Sequence, residues 1–124
     1  MSSPAFSVAE YLDDETSLSV GTTLFVGKEP PKPDACVTVY DTGGNNPIDN
    51  METAVESRQP TVQIRIRAIN YASGYALAET ISQKMALLLG KEGIKEAAQR
   101  ADILAIGSDE NQRQLFTINF DLFL

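Results

Sequence analysis

The clearest pattern in the chain is an alternation of apolar and polar residues from Thr61 to Ile69. A period of two predicts a β-strand with one face in the core and the other facing solvent or a partner. The same alternation predicts a strand from Gln114 to Leu124, and shorter apolar runs predict three more. The five predicted strands cover residues 23–26, 35–40, 61–69, 103–106 and 114–124.

A helical period replaces the alternation between Asn70 and Leu89. Four apolar residues step by four, four and three positions, which places them on one side of a helix. They are Leu77, Ile81, Met85 and Leu88. Asn70 or Ser73 fits the start of this helix, and Gly90 fits its left-handed end. A weaker pattern predicts a short helix at residues 4–12.

Two stretches rich in turn-forming residues interrupt these elements. Three prolines between Gly27 and Asp34 forbid a helix there and predict a loop. Residues 41–58 contain a Gly-Gly-Asn-Asn-Pro run and predict the longest loop, of a length that is usually functional or mobile. The secondary structure of residues 94–102 is left undecided, because their composition favours a helix but the segment is short.

Together these elements predict one α+β domain over residues 1–124, since the length suits a single core. We expect an antiparallel-dominated sheet of about four or five strands. The long helix should pack on one face, beside a short N-terminal helix.

The net charge is −7, from 17 acidic and 10 basic residues. An acidic chain without clustered Lys and Arg is not expected to bind nucleic acid sequence-specifically or to associate with membranes. No apolar stretch is long enough to cross a bilayer. The single Cys36 fits a reducing compartment, so we expect a protein made in the cytosol.

Candidate chemistry is sparse because the chain lacks histidine, which excludes histidine-based catalytic dyads and metal sites. Cys36 has no base to activate it and fits a small core residue. Gly43-Gly44 lacks the Gly-Lys-Ser/Thr ending of a phosphate-binding loop and fits a turn. Asp109 and Glu110 fit a solvated hairpin tip with ordinary pKa values. We therefore expect no enzyme activity, no cofactor and no metal site.

Arg65 and Arg67 lie two residues apart on the polar face of the clearest strand. Such a pair could bind an acidic group of a neighbouring subunit, since Arg is enriched in interfaces. Cross-strand ion pairs on a solvated face explain the pair equally well. The acidic charge, the long loop and the strand edges together favour assembly over catalysis. Assembly would use a strand edge such as the one bordering 62–69.

Three segments in order resemble a known family. The first runs from Leu24 through the prolines to Val37–Gly44, and the second from Pro60–Arg67 into the long helix. The third is Gly107–Glu110, with Arg113, before Phe116–Phe120. Over about residues 20–124 the chain resembles the minor capsid protein family of long-tailed bacteriophages, which is similar to the tail terminator proteins.

The resemblance implies a subunit of the virion that assembles as a ring, typically a hexamer, at the head-proximal end of the tail tube. The ring would stop tube polymerisation and offer a docking surface to head-connector proteins. The resemblance implies no catalytic residues. The candidate residues for contact with the next subunit or the tube are Asp41, Gly43, Gly44, Asn45, Arg65, Arg67, Asp109 and Arg113.

Two other functions stay open. A head-side minor capsid or head–tail connector component would use the same fold, because fold does not determine function. A small enzyme or ligand-binding domain would need a concave pocket with carboxylates of perturbed pKa.

Overall fold

The computed structural model describes residues 3–50 and 55–124, which form two helices and a seven-stranded sheet. The elements in chain order are α1 (Pro4–Glu15), β1 (Leu24–Val26), β2 (Cys36–Asn50), β3 (Val55–Ala68), α2 (Tyr71–Ala86), β4 (Leu89–Lys91), β5 (Ile94–Gln99), β6 (Leu104–Ser108) and β7 (Gln114–Phe123).

The strands follow the order β1-β2-β3-β7-β5-β4, and β6 pairs with β7 outside this path. β1 is parallel to β2, and all other pairs are antiparallel. β5 and β6 follow one another along the same edge of β7, since Gln99 pairs with Phe120 and Leu104 pairs with Thr117. The predicted α+β class is confirmed. Within the described residues, however, the sheet is mixed and has seven strands instead of four or five.

Both helices pack on one face of this sheet. The alternating apolar residues of β3 and β7 are buried there, as their pattern predicted. Ile81, Met85 and Leu88 of the predicted stripe are fully buried, and Leu77 is partly buried. The Tyr11 hydroxyl donates to the Lys84 carbonyl over 2.6 Å, which joins α1 to α2. One hydrophobic cluster therefore holds both helices against the sheet.

The ends of the helices have clear local causes. Asn70 caps α2 by accepting from the Ser73 amide at 2.8 Å, one of the two caps that the sequence allowed. α2 ends at Ala86, three residues before the predicted end, because Leu89 already pairs with Glu96 in the β4–β5 hairpin. α1 runs to Glu15, longer than predicted.

The predicted loop at residues 41–58 is wrong over most of its length. β2 continues to Asn50 and β3 begins at Val55, so that the two strands form a hairpin. Two register shifts, between Asp41 and Gly44 and again between Asn45 and Ile48, absorb the glycine- and proline-rich sequence. Residues 51–54 lie outside the described part of the chain.

The outer part of this hairpin leaves the sheet. β1 pairs with β2 only as far as Val39, and β7 pairs with β3 only as far as Thr61. Beyond these points the described strands pair only with each other. We call residues 42–50 and 55–60 the arm; its shorter strand, of six residues, spans about 20 Å.

Candidate assembly surfaces

The face of the sheet opposite the helices carries the two arginines of β3. Residues 27–35, the proline loop, cover part of this face. Arg67 is only 2% exposed. Its guanidinium donates to the carbonyls of Pro33 and Asp34 and lies 3.3 Å from a Glu29 carboxylate oxygen. The expectation that this face meets solvent or a partner is therefore wrong at Arg67, because the chain's own loop covers it.

Glu29 also faces Arg65. The Arg65 Nε lies 3.0 Å from the second Glu29 carboxylate oxygen, although neither atom has an aligned hydrogen bond. One carboxylate thus bridges both arginines of the strand. The acid that faces both arginines is Glu29 of the same subunit, which lies in a loop and not on a neighbouring strand, so the expected cross-strand ion pairs on a solvated face are not what the structure shows. Arg65 is partly exposed and keeps some surface available to a partner.

Arg113 holds the other side of the proline loop. Its Nη1 donates to the Pro31 carbonyl at 2.7 Å, and its Nε donates to Asp109 at 2.8 Å. The other oxygen of Asp109 accepts from the backbone amides of Asn111 and Arg113. Desolvation acts to raise the pKa of Asp109, but these hydrogen bonds together outweigh it and lower that pKa. The expected ordinary pKa of Asp109 is therefore wrong.

Four of the sequence-predicted residues thus come together in one network, which we call the arginine clamp. It fastens the proline loop to the sheet, through the arginines of β3 and the turn before β7. Its members are Glu29, Asp34, Arg65, Arg67, Asp109 and Arg113.

The other four predicted residues lie apart from the clamp, at the base of the arm. Asp41 accepts from the Ala5 amide at 2.9 Å and so caps α1 together with Ser3. Gly43 has a φ of +93°, which favours glycine at this bend. Gly44 and Asn45 pair with Pro60 and Gln59 in the arm. The structure therefore divides the predicted interface into two separate places.

The open edge of the sheet is not where the sequence suggested. The strand over 62–69 is not an edge, because β3 lies between β2 and β7. An exposed edge lies instead at β6, where Leu104 is 57% and Ile106 is 43% exposed. The sequence feature that could have indicated this exposed edge is the uncharged, proline-free run from Ile103 to Ser108.

A depression of about 360 Å³ lies between α1 and the β4–β5 turn. Four acidic and two apolar side chains line it. Desolvation, together with the nearby Glu92 carboxylate, raises the pKa of Glu10. Negative charge of this density repels anionic ligands. The lining residues are Phe6, Glu10, Asp13, Asp14, Val20 and Glu92.

A sheet with two helices on one face and a clamped loop on the other defines a small α+β subunit with a two-stranded arm. The chain belongs to the bacteriophage tail terminator family, whose model matches residues 11–123. No curated protein matches the chain. The predicted family is confirmed, and membership implies a place in the virion and assembly with other tail or head proteins. Neither described helix has the length and apolar character of a membrane span.

Proposed function

We propose that this chain ends the tail tube. In this proposal it forms a ring, as a hexamer, at the head-proximal end of the tube, stops the addition of tube subunits and provides the head connector with a docking surface. The family match over residues 11–123 is the observation that carries the proposal. The subunit acts through its surfaces and needs no catalytic step.

The arm supports a role at the tube. A two-stranded ribbon is marginally stable in water by itself, so the arm gains most from a partner that packs against it. A terminator must copy the contacts of a tube subunit on one side and lack them on the other, and an element that pairs with no other strand of the sheet can carry one set of contacts alone. We assign the tube contact to the arm.

The proposed function is tested by tail length in lysates that lack this chain. We expect overlong tails without heads, because tube growth has no stop and the connector has no docking surface. Electron micrographs measure both, and supplying the wild-type chain should restore normal tails. Tails of normal length, together with cross-links only to portal or adaptor proteins, would instead identify a head-side connector component.

Shortening the arm should separate folding from termination. We would replace residues 43–60 with an Asn-Gly turn between Thr42 and Thr61, whose hydroxyls already lie 2.7 Å apart. The core and the Asp41 cap remain, so we expect a cooperative urea unfolding transition to be kept and tails to be overlong. A full-length Gln83→Ala variant, altered at an exposed helix position, is the control. Normal tail length with the short arm would remove the arm from the tube contact.

A further inference from the structure

The proline loop is fastened by polar contacts and lies outside the hydrophobic core. None of the residues 27–35 is buried, and none belongs to the hydrophobic cluster. The guanidinium groups of Arg67 and Arg113 hold it by donating to its backbone carbonyls. A segment with few buried apolar contacts opens at a lower free-energy cost than the whole domain. The loop is therefore able to detach while the core stays intact.

The sheet residues on the face that the loop covers are buried. Cys36 is 1% exposed and Thr38 is fully buried. Cys36 pairs with Arg67 and Thr38 pairs with Arg65, so these four side chains share one face of β2 and β3. Burial is the main cause that raises the pKa of the Cys36 thiol. Because Cys36 is the only cysteine of the chain, its reactivity measures how often this face is uncovered.

The closed clamp leaves hydrogen-bonding capacity unused. Within the described residues, three buried side-chain atoms have no aligned hydrogen-bond partner, and all three lie together here: Glu29 Oε2, Thr38 Oγ1 and Arg65 Nε. Such buried groups are rare in native structures, and leaving them unpaired costs free energy. A carboxylate that is better aligned than Glu29 would therefore find free donors at this place.

A second copy of the chain supplies carboxylates of this kind. The net charge is −7, and several exposed acidic residues form no ion pair within the part of the chain that the structure describes. Asp14, Glu79 and Glu110 are among them. Such an acid would bind the arginines of β3 through charge-assisted hydrogen bonds. Because the acid and the arginines lie at different places on each copy, the contact is head-to-tail, as a ring requires.

We propose that the proline loop is a strap that opens while the rest of the domain stays folded, and that a carboxylate of the neighbouring copy then replaces Glu29 at Arg65 and Arg67. In the free chain Glu29 occupies the arginines, so this subunit contact forms only after the loop has moved. The inference rests on the proposed ring and specifies one of its contacts.

Thiol labelling of the purified chain tests the opening of the loop. We expect Ellman's reagent to label Cys36 more than about a hundredfold faster than complete unfolding permits. The labelling rate should be nearly independent of urea below the unfolding transition, because a local opening exposes little surface. A rate that follows the urea dependence of global unfolding would overturn the strap. This measurement does not depend on tail assembly.

Two arginine variants show whether the clamp controls the opening. Arg113→Met removes the donor to Pro31 and the ion pair with Asp109, so labelling of Cys36 should become about tenfold faster. Arg100→Met breaks an exposed ion pair outside the clamp and should leave the labelling rate unchanged. Equal labelling rates in the two variants would contradict control by the clamp.

Zero-length cross-linking tests the exchange of carboxylates. Arg65→Lys keeps the positive charge and introduces an amine, which a carbodiimide joins to a carboxylate in contact. In the free chain, kept below the concentration needed for assembly, position 65 should cross-link to Glu29 within one chain. In assembled tails we expect cross-linked dimers whose peptides join position 65 to an acidic residue of another chain, and the wild-type chain measures the background. Cross-links only to Glu29 within one chain, in tails of normal length, would overturn the exchange while leaving the tail-ending function intact.

Discussion

Replacing Arg67 with methionine is expected to lower the free energy of unfolding by about 3 kcal/mol, near the lower end for a broken buried ion pair. The substitution keeps an unbranched side chain but removes the charge facing Glu29. It also leaves the Pro33 and Asp34 carbonyls without their donor. Urea unfolding followed by circular dichroism measures the change.

Arg100→Met is the matched control for this variant. Arg100 directly follows β5, and its Nε lies 3.4 Å from an Asp121 carboxylate oxygen, in a pair that is largely exposed. Exposed pairs contribute little, so we expect a loss below about 1 kcal/mol. Equal losses for the two variants would show that burial of Arg67 contributes no special stability. Because neutralising Arg67 also destabilises the fold, loss of assembly in such a variant measures the loss of folding stability as well as the loss of a subunit contact.

The buried position of Arg67 shows where the sequence is insufficient. Alternation correctly placed the arginines on the face away from the helices, because that periodicity is local. Which segment covers that face depends on Glu29, which lies in a loop far from Arg67 in the chain. Ion pairs between such distant segments leave no periodic signal. The prediction therefore found the arginines without identifying their partner.

β5 was missed, and β2 was predicted too short, for a related reason. Residues 94–99 have helix-favouring composition, yet they form β5 because Ala97 pairs with Leu122 of β7. Strand propensity is weaker than such tertiary pairing. The glycine- and proline-rich start of the arm resembles a loop, but pairing with β3 across two bulges holds it extended. The strongly periodic segments, by contrast, were predicted well because burial alone determines their pattern.

Replacing Gly74 with valine is the second change with a large expected effect. Gly74 lies in α2 against β7, where an added Cβ would come within 2.5 Å of the Phe116 ring and 2.9 Å of the Ala68 Cβ. The ring has little room to move, since Tyr71 and Tyr75 pack against it at 5.1 and 6.1 Å between centroids. We expect a loss of about 3 kcal/mol in the free energy of unfolding, the upper part of the overpacking range.

Ala72→Val introduces the same side chain at an exposed position of the same helix, where we expect only a helix-propensity loss of about 0.5 kcal/mol; at Gly74 the propensity change favours valine, so it cannot explain the expected loss there. Phe116→Leu removes the ring that the new methyl groups would strike. The double variant Gly74→Val/Phe116→Leu should therefore lose at least about 1 kcal/mol less than the sum of the two single changes. Strict additivity, measured by urea unfolding of all four proteins, would contradict a steric origin and leave the close approach of α2 to Phe116 without energetic consequence.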